Sequence, residues 1–126
     1  METFGFLLPT PDFAKSAKMG QYNGYIGVYR PIGLDNDLYR KWVDAMDSIM
    51  HGGCTLDRFS GDESFRRSGI VPVTDIPNDW SKYMIFGFDT LHWGDTWDYW
   101  TLERVTEEVK NVLRQIDEAF KTINNN

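Results

Sequence analysis

From Leu102 to Ile123 apolar residues return at steps of three and four: Leu102, Val105, Val109, Val112, Leu113, Ile116, Phe120 and Ile123. That period places them on one broad stripe of an α-helix. The pattern predicts a C-terminal helix over 101–123 whose stripe faces a core. Thr101 can cap its start, and Trp100 and Val105 stand where a hydrophobic staple would. Arg104 occupies the position of a capping-box Glu, so that box is absent. Neither a long heptad run nor ordered flanking charges suggest a coiled coil. Leu38, Trp42, Ala45, Met46 and Ile49 repeat in the same way and predict a shorter helix. Asp35-Asn36-Asp37 offers its caps, and Gly52-Gly53 ends it.

Other segments read as strands. Trp80 or Lys82 to Phe88 carries the apolar run Tyr83-Met84-Ile85-Phe86, which predicts burial on both faces and a central position. Tyr25 to Arg30 is β-branched and aromatic, hence a strand. Tyr22-Asn23-Gly24 reads as a turn before it, and Pro31 and Gly33 end it. Cys54 to Phe59 is a further candidate strand. Phe4 to Leu8 stops at Pro9 and reads as an edge strand or as part of an extended lead-in over 1–20. Asp12 to Met19 can add one or two helical turns. Residues 60–79 are polar and broken by Gly61, Gly69, Pro72 and Pro77, which predicts a long loop. Together these elements predict a single α+β domain spanning 1–126. A small, mostly antiparallel sheet of three to four strands is packed by the long C-terminal helix, with the shorter helix between strands.

Charge narrows the choice of partners. The net charge is -6, and the deficit grows late in the chain at Asp89, Asp95, Asp98, Glu103, Glu107, Glu108, Asp117 and Glu118. Direct nucleic-acid binding is not expected, because it needs a basic stripe. Arg66-Arg67 is too small to supply one. An acidic surface suits solubility or docking on a basic protein face. The chain has five tryptophans, four of them between Trp80 and Trp100, which suits a packed core or an aromatic partner surface. Cys54 is the only cysteine, so no intrachain disulfide forms and a reducing interior is expected. No apolar run reaches about 18 residues, and the N-terminus lacks a basic region followed by an apolar one. The expectation is a cytoplasmic protein with no signal peptide and no membrane association.

The candidate chemistry gathers at the two histidines. His51 opens His51-Gly52-Gly53-Cys54-Thr55. His92 lies in Gly87-Phe88-Asp89-Thr90-Leu91-His92-Trp93-Gly94-Asp95. Imidazole titrates near neutrality, and glycine allows sharp turns and close approaches. Both motifs flank predicted strands, so His51, Asp89, His92 and Asp95 can converge at one rim of the sheet. Trp93, Trp97, Tyr99 and Trp100 would wall that rim. Two imidazoles and two carboxylates suffice to ligate zinc, manganese or iron, although the spacing matches no specific metal motif. They also suit general acid–base work, or hydrogen bonding to a ligand stacked on tryptophan. Turn-holding roles would use the same residues. Cys54 could be a nucleophile paired with histidine, or a small buried hydrophobe.

These motifs resemble a family of small phage and prophage proteins. Its members carry a "GYVGV" strand, an "HGGLT" motif, a "W-x-GFD-x-x-H-x-GD" motif and a helix opening near "LEYVKEE". Here the matching segments are Tyr25-Ile26-Gly27-Val28, His51 to Thr55, Phe86 to Asp95 and Leu102 to Val109. The likeness covers roughly Gly24 to Ile116. It departs in the helix around Trp42, in the length of the 60–79 loop, and at Cys54, where a branched apolar residue is usual. The resemblance implies a phage or mobile-element origin, and a shared polar core of His51, Asp89, His92 and Asp95. It supplies no catalytic role.

The functional expectation is a phage accessory protein of the host cytoplasm. It would be a non-enzymatic, counter-defence binder of a host protein or small signalling molecule. The binding residues expected are His51, Gly52, Gly53, Asp89, His92, Trp93, Asp95 and Trp97. The alternative is a small hydrolase built on the two histidines and two aspartates, with or without a metal.

Overall fold

The computed structural model describes residues 2–30, 35–59 and 69–124. Pro31, Gly33, Gly61, the Arg66-Arg67 pair and positions 60–68 of the expected loop lie outside them. The strands are β1 (Thr3–Pro9), β2 (Tyr22–Tyr29), β3 (Leu56–Phe59), β4 (Val71–Pro72) and β5 (Tyr83–Phe88). The helices are α1 (Phe13–Ser16), α2 (Asn36–Ile49) and α3 (Leu102–Asn124). The fold is α+β. Five antiparallel strands form an open sheet in the order β3-β5-β2-β1-β4. No described helix is long and apolar enough to cross a membrane.

Strand alternation gives the sheet two different faces. Leu7, Ile26, Val28, Met84, Phe86 and Phe88 point toward the helices. There they meet Trp42 and Met46 of α2 and Val105, Val109, Val112, Ile116 and Phe120 of α3. Phe4, Phe6, Tyr83 and Ile85 point the other way and pack with Trp80. Rings of Phe4, Phe6 and Trp80 lie 5.2–5.8 Å apart. All six residues of β5 are buried, as its unbroken apolar run predicts. α3 starts as its sequence indicates, with Thr101 Oγ1 accepting from Arg104 N at 3.3 Å. Asp35 Oδ1 caps α2 by accepting from Leu38 N at 2.8 Å.

Three expectations need correction. The sheet has five strands, because two residues of the expected loop, Val71 and Pro72, pair with Leu7 and Phe6. β1 is consequently internal, between β2 and β4, and is neither a lead-in nor an edge strand. Tyr22-Asn23-Gly24 is not a turn but the first part of β2, paired with Pro9, Leu8 and Leu7. Gly24 is small there for packing reasons. A Cβ on it would lie 2.4 Å from the Phe88 ring and 2.8 Å from Val109.

Gly27 shows the same device on the opposite face. It pairs with Phe4 across the sheet, and a Cβ would lie 2.1 Å from the Phe4 ring. The ring fills the space that the glycine leaves. Gly27→Ala should therefore act as an overpacking change and cost about 1–3 kcal/mol. An unchanged urea midpoint would show that the ring has room to move.

Candidate functional site

The segment joining β5 to α3 is irregular, yet it is tied to the start of β2 and to the chain just before it. Thr90 N donates to Asn23 Oδ1 at 3.0 Å, and Thr90 Oγ1 donates to the Tyr22 carbonyl at 2.8 Å. Gly20 N donates to the Thr90 carbonyl at 2.9 Å, and Trp97 N to the Lys18 carbonyl at 3.1 Å. Gln21 reaches the same segment twice, through its N–H to the Trp100 carbonyl and through Nε2 to the Trp97 carbonyl. Gly20 must be glycine for this, since a Cβ would fall 1.9 Å from Thr90 Oγ1. None of Gly20, Gln21, Asn23 or Thr90 stands out in the sequence. Their role depends on a pairing between distant segments.

Within this braced loop, residues 92–95 form a tight turn. Asp95 N donates to the His92 carbonyl at 2.9 Å, and Gly94 takes φ 96° at the third position. That is the position where a type II turn needs a positive φ. The Asp89, His92, Asp95 spacing is thus gathered by turns, not by a helical face. Asp89 Oδ1 accepts from Leu91 N at 3.1 Å and holds the start of the loop.

Asp95 is the centre of the site. Its side chain is only 5% exposed. Oδ1 accepts from Trp100 Nε1 at 3.0 Å and is 2.8 Å from His51 Nε2. Oδ2 accepts from His92 N at 2.9 Å. Asp95 therefore binds the two histidine motifs to each other. The His51 and His92 rings are 6.0 Å apart and nearly perpendicular. Trp100 lies against His51 at 4.2 Å. His92 Nδ1 sits 3.2 Å from Asp89 Oδ1 and 3.3 Å from Asp95 Oδ2. Neither oxygen is aligned for a hydrogen bond, so this buried nitrogen has none among the described residues.

The glycines after His51 have distinct tasks. Gly52 has φ 65°, and a Cβ on it would lie 2.7 Å from the His92 ring. The second histidine packs over the glycine that follows the first. Gly53 has φ 90°, and its bare Cα makes room for Asp47. Asp47 Oδ1 in turn accepts from Cys54 N at 2.8 Å.

The aromatic wall is only partly as expected. Trp100 belongs to it. Trp93 walls nothing and is 100% exposed. Trp97 is half-buried and lines a separate groove with Pro9, Pro11, Lys15 and Tyr22. Beside the histidines runs an open groove lined by His51, Gly94, Asp95, Thr96, Tyr99, Trp100 and Glu108. Tyr99 also borders an adjoining groove with Asp98, Glu103, Arg104 and Glu107.

Cys54 lies near this site but is poorly suited to attack. Burial pushes its thiol up from the ordinary value, and Sγ donates to the Leu56 carbonyl at 3.1 Å. The thiolate is the nucleophile, so little is present at neutral pH. Compared with family models, curated proteins and solved structures, the chain shows no significant match.

Two measurements test this geometry. Asp95→Ala leaves the buried Trp100 N–H without an acceptor and should cost at least about 2 kcal/mol. Asp89→Ala removes a more exposed carboxylate and should cost under about 1 kcal/mol. Equal urea midpoints for the two variants would contradict the central place of Asp95. Separately, alkylation of Cys54 by iodoacetamide should reach half its maximal rate above about pH 8.5, the free-thiol value. A midpoint below that value would restore the nucleophile.

Proposed function

We propose that this chain is a non-enzymatic binding protein that meets a partner protein through the rim formed by residues 89–100. The full exposure of Trp93 on a braced turn carries this reading. Tryptophan is the residue type most enriched among binding hot spots. A turn already held by hydrogen bonds loses little further freedom on docking. The adjoining grooves are open, as suits a protein face, whereas small-molecule sites enclose most of their ligand. Asp98, Glu103, Glu107 and Glu108 border them. The Arg104 guanidinium is drawn over the Tyr99 ring at 4.5 Å. A partner presenting lysine or arginine around an apolar pocket complements this rim. The resemblance to phage proteins makes a host protein, met in the host cytoplasm as part of counter-defence, the fitting class of partner.

A second reading rests on the His51–Asp95 hydrogen bond. A carboxylate on one ring nitrogen orients the imidazole and leaves the other nitrogen to act as a base, as a small hydrolase would need.

Paired affinity capture from host cells separates the two. Wild-type chain should retain a protein that Trp93→Ala loses, with an affinity deficit of about 2 kcal/mol or more. His51→Ala, if folded, should retain it. Equal capture by the wild-type and Trp93→Ala baits, or none by either, overturns the binding reading. A hydrolytic turnover that falls roughly 10²–10⁴-fold in His51→Ala would put the hydrolase in its place.

A further inference from the structure

We propose that His51, His92 and Asp95 form a binding site for one divalent transition-metal ion of the zinc type, with Asp89 behind His92 as a supporting carboxylate. Each of the three offers a donor atom, and these atoms all lie within 4.8 Å of one another. A tetrahedral zinc with bonds near 2.0–2.1 Å spaces its ligands roughly 3.3 Å apart. His92 Nδ1 and Asp95 Oδ2 already stand 3.3 Å apart, and His51 Nε2 and Asp95 Oδ1 stand 2.8 Å apart.

His92 has a bonding position left open. Its Nδ1 is buried, faces two carboxylates and makes no hydrogen bond. An unpartnered buried nitrogen facing two carboxylates leaves a place for a cation between them. Among the described residues, no lysine or arginine pairs with Asp89 or Asp95; both pair only with histidine. A dication would balance both charges.

The surroundings also resemble those of a metal ligand. Asp95 is oriented by two groups that would not touch the ion, Trp100 Nε1 and the His92 backbone N–H. Such outer hydrogen bonds fix ligating carboxylates. Gly52 leaves the space that the His92 ring occupies. The donor set of two imidazoles and carboxylate favours zinc over magnesium or calcium, which prefer oxygen ligands alone. On binding, the Nε2 proton of His51 leaves or moves to Nδ1, since a ligating nitrogen must be free of its proton.

The chain has only two histidines, so its imidazole NMR spectrum contains two rings. Chelator-stripped full-length protein is titrated with zinc chloride, with magnesium chloride as control. Calorimetry should give one zinc per chain, both rings should shift together, and magnesium should move neither. His51→Ala and His92→Ala should each weaken zinc binding by about 100-fold or more. Asp89→Asn should weaken it by roughly 10–100-fold, as supporting partners do. Phe13→Ala, an exposed aromatic outside both the cluster and the docking rim, should leave it unchanged. Absence of zinc binding overturns the proposal. Binding that shifts one ring or neither also overturns it, since the ion would then sit elsewhere. If an alanine variant does not fold by circular dichroism, the two wild-type rings still decide.

Discussion

A single buried carboxylate holds the histidine-bearing end of this protein together. Asp95 accepts from the Trp100 indole and from the His92 backbone, and it contacts the His51 imidazole. An ionised carboxylate is costly to bury unless its lone pairs are used. Here three partners use them, and they come from the end of α2 and from the segment between β5 and α3. The carboxylate therefore sets the position of the α3 start relative to the end of α2. It also fixes where both histidines stand.

That arrangement depends on space as much as on hydrogen bonds. His92 packs on Gly52, Thr90 on Gly20, Phe88 on Gly24 and Phe4 on Gly27. In each case a missing Cβ is filled by another side chain. The sheet can then be aromatic on both faces and still bring α3 close, with Val109 and Leu113 against Gly5. The rim is braced chiefly by hydrogen bonds. Its loop has no regular structure, yet it is bonded at Lys18, Gly20, Gln21, Tyr22 and Asn23.

The two proposed roles use different parts of this rim. Trp93 is fully exposed on a turn closed by the His92 carbonyl and the Asp95 N–H, whereas Asp95 is buried. A cation held at the cluster would tighten the turn that presents the tryptophan, because His92 and Asp95 are its first and last residues. Binding at the cluster and docking at the tip would then be coupled through one element.

Local pattern was enough to place α3, α2, β5 and the α+β class. Helical and strand periods are written within each segment, and burial of one stripe or face enforces them. The two histidine-glycine motifs also pointed to the segments that converge on Asp95, because the positive-φ turns at Gly52, Gly53 and Gly94 favour glycine. The rest was settled by contacts between distant residues. Tyr22-Asn23-Gly24 has turn composition but lies in a strand, since Leu7 to Pro9 pairs with it and Phe88 needs the room at Gly24. β1 became internal only because Val71 and Pro72 return to pair with it. Trp93 and Trp100 belong to the same aromatic segment, yet one is fully exposed and the other donates to a buried carboxylate. Composition cannot separate them. Tertiary packing decides their fates, since Trp100 reaches the buried Asp95 carboxylate and Trp93 stands in solvent.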